Sequence, residues 1–188
     1  MGSLIDMKAM GVISIATSLS GLCVGVSTML SGKILFPAYA ELHREADHGK
    51  LYSVVGRARV VQMFFIWAAS FVLLLIARPL IGAMYDSRYS EAASIIEVMA
   101  IGNFGVALNI SYVFLEAAIK RPDLTVRIVL SMALSLWISV YIGHHFWGAS
   151  GVIYGLAASG WISYPLVSSV YRGAGFWYPR SDLLIISM

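Results

Sequence analysis

From Ala9 to Gly32 the chain runs 24 residues without an Asp, Glu, Lys or Arg, and then "KILFPAYAELHREADHGK" brings in charge of both signs. The same alternation recurs further along. Val60 to Ala77, "VVQMFFIWAASFVLLLIA", closes on Arg78-Pro79, and Ala92 to Ala118 is apolar with Glu97 and Glu116 near its ends. Ile128 to Tyr171 then gives 44 residues with no Asp, Glu, Lys or Arg. One membrane-crossing helix needs about 20 mostly apolar residues, so this last stretch must fold back on itself. "GHHFWGASG", Gly143 to Gly151, has the glycines a turn requires.

The pattern predicts five spans, at about 9–36, 60–77, 92–118, 128–143 and 152–171. They form a bundle over 1–171, followed by a tail, 172–188, that ends in the start of another apolar run. Backbone polar groups in lipid must be satisfied within the segment, so the spans are helical. The short alternating segments of a β-barrel are missing. The expected class is therefore all-α, a polytopic transmembrane helix bundle. The connections are too short to hold a soluble domain, and Leu51 to Arg59 reads as an amphipathic surface helix leading into the second span.

Composition agrees. Apolar residues make up 59% and charged residues 12%, against about a quarter charged in ordinary soluble domains. The lone Cys23 lies in an apolar run, so no disulfide is expected. The net charge of +3 does not point to nucleic acid, because the cations gather at the ends of apolar runs and not on one face.

Their distribution predicts orientation. Five alternating spans put ten Lys and Arg on one side (Lys33, Arg44, Lys50, Arg57, Arg59, Lys120, Arg121, Arg127, Arg172 and Arg180) and three on the other (Lys8, Arg78 and Arg88). The positive-inside rule assigns the richer side, with the tail, to the cytoplasm. Ala38-Tyr39-Ala40 mimics a signal-peptide cleavage site, but the apolar run before it is too long and its positive charge lies at the wrong end.

Small residues repeat at helical intervals. The first span carries Ser14, Ser18, Gly21, Gly25, Thr28 and Gly32; the fourth Ser131, Ser135 and Ser139; the fifth Gly151, Gly155, Ser159 and Ser163. Such faces let neighbouring helices approach closely, or line a cavity. Gly21, Gly25, Gly151 and Gly155 are thus candidates for packing, and Pro165, inside the fifth span, for a static kink or a hinge. The third span is the most polar, with Gly105, Asn109, Tyr112 and Glu116 on one face. Polar groups in a span face a cavity or a partner, and Glu116 also has Lys120 four residues on. Asn109, Tyr112, Glu116 and Arg127 are the substrate-cavity candidates. Tyr85, Tyr89, Trp147, Trp177 and Tyr178 read as an interfacial aromatic belt. Neither catalytic nor phosphate-loop motifs occur, and the four histidines have no ligand spacing. No enzyme activity, cofactor or metal is expected.

"KILFPAYAEL" followed by a basic connector, "ARPLIGAMYDSRYSEAASIIEVMAIG", and "FWGASGVIYGLAAS" occur in that order. Together they resemble the polysaccharide-transport branch of the multidrug/oligosaccharidyl-lipid/polysaccharide exporters, which includes the O-antigen flippases and related lipopolysaccharide biosynthesis proteins. The likeness runs over roughly Gly2 to Tyr171. It implies two six-helix lobes that rock around a central cavity in the bacterial inner membrane and move polyprenyl-diphosphate-linked oligosaccharide outward. These spans look like helices eight to twelve, most of the C-terminal lobe, with the N-terminal lobe as the missing partner and the chain as a fragment. Arg127 with Lys120 and Arg121 would counter the diphosphate, or serve as positive-inside anchors. A cation-coupled multidrug exporter using Glu97 or Glu116, and a membrane scaffold without transport activity, remain open alternatives.

Overall fold

The computed structural model describes residues 7–45, 48–86, 89–118 and 121–173. The described residues form four helices: α1 (Met7–Arg44), α2 (His48–Met84), α3 (Glu91–Ala118) and α4 (Pro122–Gly173). All four carry stretches long and apolar enough to cross a membrane. The chain is thus an all-α membrane bundle. The predicted fourth and fifth spans are the two arms of α4, because Gly148 alone leaves helical geometry, at φ 61° and ψ −137°. Only glycine enters that region without steric penalty. A Cβ built on Gly143 or Gly151 would strike the opposite carbonyl, and one on Gly155 would lie 2.5 Å from the Ser139 carbonyl. Arms 122–147 and 149–173 therefore run back to back, with Gly148 as the reversal.

The helix ends differ from the sequence expectation. α1 and α2 do not stop at Pro37 and Pro79 but run through both. An interior proline removes one hydrogen bond and costs about 3 kcal/mol. Packing beyond each proline offsets this: Tyr39 and Leu42 enter one apolar cluster and Ile81 another. The expected surface helix Leu51 to Arg59 is the first part of α2, with Leu51, Val55 and Arg59 all buried. At 1.5 Å per residue the 38 residues of α1 extend about 57 Å, well beyond a hydrocarbon core of about 30 Å. Charges therefore mark where the helices leave the core, not where they end. Helix α4 starts at Pro122, a residue suited to the first helical position, and the Arg121 carbonyl accepts from the Leu124 and Thr125 amides.

Helix α3 is the hub. Asn103 Nδ2 donates to the Ser20 carbonyl of α1 (2.9 Å), and Trp67 Nε1 of α2 donates to the Phe104 carbonyl (3.2 Å). On its other side α3 meets the second arm of α4 almost backbone to backbone. A Cβ on Gly102, Gly105 or Gly160 would come within 2.7 Å of an atom across the contact. Three apolar clusters stack along the bundle. One end joins Val12 and Ala16 to Ala77, Ile81 and Ile96; the middle joins Met63 and Ile66 to Leu108. The other end joins Tyr39, Val55, Leu115, Ile128 and Tyr171. The first arm of α4 touches protein through Ser135, Ser139 and Gly143, while Leu130, Trp137 and Tyr141 on its other faces are exposed. Bilayer lipid is the natural solvent for those side chains.

Candidate functional site

The structure separates the predicted small-residue faces. Gly151 and Gly155 lie within the α4 hairpin contact, whereas Gly21 and Gly25 on α1 are exposed with nothing within 4 Å of a built Cβ. The expectation that those two glycines pack against a neighbouring helix is corrected: α1 presents Val12, Ala16, Ser20, Ser27 and Ser31 to the bundle instead. Both faces of α1 are rich in small residues, so either could serve, and α2 and α3 take the one that includes Ser20, to which Asn103 bonds. Ser14, Ser18, Gly21 and Gly25 are left as a smooth, hydroxyl-bearing strip on the outside. The adjacent outward positions carry Leu22, Val26 and Met29.

Of the predicted cavity residues, Asn109, Glu116 and Arg127 sit in three different surroundings. Asn109 is buried and holds α3 to α4: its Nδ2 donates to the carbonyls of Gly105 (3.1 Å) and Gly160 (2.8 Å) and to Ser163 Oγ (3.1 Å). Glu116 is 4% exposed, with the Thr125 and Tyr171 side chains against its carboxyl and no hydrogen-bond partner for Oε2. Arg127 is exposed in the second turn of α4. The side chain of Tyr112 and the whole of Lys120 lie outside the described residues, as does the tail beyond Gly173. Pro165 is on an exposed face of a continuous helix arm, and only Gly148 departs from helical angles within α4. Glu97 pairs with Arg78 across α2 and α3, Nε to Oε1 2.8 Å.

Sequence reasoning missed the polar line on α2. Arg59 is wholly buried and Gln62 is 5% exposed, and Ser70 is buried further along. Their spacing was the available signal: 59, 62, 66, 70, 73 and 77 fall on one helical face, and every one of them is buried. Arg59 reads as a cytoplasmic anchor by position, yet it lies inside, close enough to the buried Tyr39 to act on it electrostatically. With Glu116 and Tyr171 it gives the basic end of the bundle a polar interior under an apolar exterior. Ionisable groups buried in a membrane bundle mark functional positions by default. Among the described residues no group of three or more His, Cys, Asp or Glu could hold a metal ion. What the arrangement offers is charge and hydroxyl groups shielded from lipid at the basic end, and an uncovered small-residue face nearer the other end.

No curated protein and no solved structure matches the chain. The sequence model of one family, described as polysaccharide biosynthesis protein, matches residues 1–94, half of the 188. The matched region holds all of α1 and α2, with both the open face and the buried Arg59 line, and on that match the chain belongs to the polysaccharide biosynthesis protein family.

Proposed function

We propose that this bundle is most of the C-terminal lobe of a flippase that moves polyprenyl-diphosphate-linked oligosaccharide across the bacterial inner membrane by alternating access. Family membership supports a role in polysaccharide biosynthesis. The observation that carries the transport reading is the uncovered face of α1, Ser14, Ser18, Gly21 and Gly25. A bulky polar glycan crossing about 30 Å of hydrocarbon needs a path that is neither oily nor obstructed, and a strip of small and hydroxyl side chains is such a wall. In this scheme the strip faces the N-terminal lobe across the central cavity. Arg59, held inside the basic end, meets the diphosphate when that end opens.

The test is complementation of a flippase-null strain by the chain fused to the first lobe of a related exporter. The fusion restores surface glycan. A Gly21→Leu/Gly25→Leu double variant, equal in folded yield, does not. A fusion that leaves the cells without surface glycan, or a double variant that exports normally, defeats the reading. Orientation is checked separately: Ser53→Cys, exposed near the start of α2, should resist an impermeant thiol reagent in intact cells.

A second reading, a cation-coupled exporter of small amphiphiles, draws on the buried Glu116 carboxyl. Drug efflux that is lost in Glu116→Gln, with no glycan export in the wild type, would select it.

A further inference from the structure

An apolar groove of about 460 Å³ opens between α1 and α2 on the outer surface of the bundle, walled by Leu30, Ile34, Val61 and Phe65. It also touches Arg57 and Gln62. Arg57 is exposed and forms no ion pair with a described residue. Gln62 is the opposite case: its side chain is buried, and neither its amide oxygen nor its amide nitrogen has a hydrogen-bond partner. A buried amide without a partner is costly, more so where no bulk water can reach it.

We propose that this groove binds one anionic glycerophospholipid of the leaflet on the basic side of the bundle. The chemistry of such a lipid matches the groove level by level. Arg57 lies at the mouth, on the side the positive-inside rule assigns to the cytoplasm, where anionic headgroups concentrate; it pairs with the phosphate. Gln62 is five residues deeper along α2, about 7 Å at helical rise. That is one glycerol unit below the phosphate, the level of the ester carbonyls. A turn of the amide about its terminal torsions gives its NH₂ those carbonyls as acceptors. The apolar walls run along α1 from Ser27 to Leu35 and along α2 from Val54 to Phe65, about 12 to 16 Å. Arg57 and Gln62 take up the part nearer the headgroups, so the walls below Gln62 hold the first methylenes of an acyl chain, the rest of which lies in the bilayer. A polyprenyl phosphate brings no ester carbonyl for Gln62 and a far longer tail. The assignment does not depend on the flippase reading, since it concerns an outer face of the bundle and a lipid of the bulk membrane.

The test uses the full chain in phosphatidylcholine nanodiscs, with spin-labelled phosphatidylglycerol or spin-labelled phosphatidylcholine added in trace. The motionally restricted fraction reports association. The wild type prefers phosphatidylglycerol by about fivefold, the value of one well-placed cation at an anionic lipid. Arg57→Gln removes the preference and Arg57→Lys keeps it, whereas Gln62→Leu, which acts on ester carbonyls common to both lipids, lowers the restricted fraction of each about twofold and leaves the preference in place. Arg44→Gln, an exposed cation at the same end of the bundle, leaves it unchanged. Equal association of the two lipids in the wild type overturns the proposal, as does an equal loss in Arg44→Gln, which would mean a diffuse surface field. Displacement of phosphatidylglycerol by equimolar polyprenyl phosphate also overturns it and reassigns the groove to the prenyl chain.

Discussion

Two contacts built from the same kind of sequence end up in opposite environments. On α3 and the second arm of α4, Gly102, Gly105 and Gly160 bring backbones so close that no side chain fits between them. On α1, Gly21 and Gly25, four residues apart on one helical face, meet open space. The difference lies in what stands opposite and what locks it. The α3 face carries Asn109, whose amide reaches the Gly160 carbonyl and Ser163 once the helices touch. In lipid, where apolar contact gives helices little reason to prefer one another to solvent, packing and such hydrogen bonds decide association. The outward face of α1 has small residues but no comparable side chain reaching a partner within the bundle. Small spacing makes close approach possible; a polar lock and a complementary surface make it happen.

The sharpest way to break this contrast is to fill the closed contact. Gly160→Leu, or Gly151→Leu in the α4 hairpin, puts a branched side chain where backbone atoms already stand. Overpacking in ordinary cores costs about 1–3 kcal/mol, and here the obstacle is main chain that cannot rotate away. A loss of about 3 kcal/mol or more is expected, read as collapse of the monodisperse peak in detergent size exclusion. A normal peak with unchanged thermal midpoint would show that the helices separate easily and that the close approach is incidental.

The lock should matter less than the fit. Asn109→Leu removes all three hydrogen bonds of the amide and leaves the Gly160 carbonyl to the helix. Interhelical hydrogen bonds in membranes contribute about 0.6 to 2 kcal/mol. A drop of about 1 kcal/mol in reversible unfolding from mixed micelles is expected, with the fold kept. Asn109→Leu behaving like the wild type would leave glycine packing as the sole difference between the two faces.

Much of the architecture was legible because the constraint is severe: apolar runs of spanning length must be helices, and 44 uncharged residues must turn once. Gly148 supplied that turn inside the predicted "GHHFWGASG". Helix ends were not legible, since Pro37 and Pro79 look like stops and the packing that overrides them, Tyr39 and Ile81, is set by other helices. The choice between the two small-residue faces of α1 was equally hidden, because it depends on Asn103 of α3 finding the Ser20 carbonyl. Arg59 was misread for a related reason. At the border of an apolar run a cation looks like an anchor in the headgroups, but α2 begins eleven residues earlier, at His48, and carries Arg59 into the interior. Glu116 and Asn109 were found by their polarity within a span, and the structure separates their surroundings: one carboxyl half-satisfied, one amide fully engaged as a donor.

The smallest expected change in stability is the most informative for function. Gly25→Leu should shift folding free energy by no more than about 0.5 kcal/mol, as surface substitutions do, because a Cβ there meets nothing and leucine is a better helix former than glycine. If the open face of α1 is the wall of a path for glycan, that same substitution narrows it and lowers export in the fused transporter while thermal stability holds. Stability lost along with export would place Gly25 in a packed contact, contrary to the open face described. Stability and export both retained would make the strip an ordinary lipid-facing surface. A folded protein that no longer exports is the one result that separates an interface with a moving partner from both of these, because only then does the added side chain act on something outside the bundle.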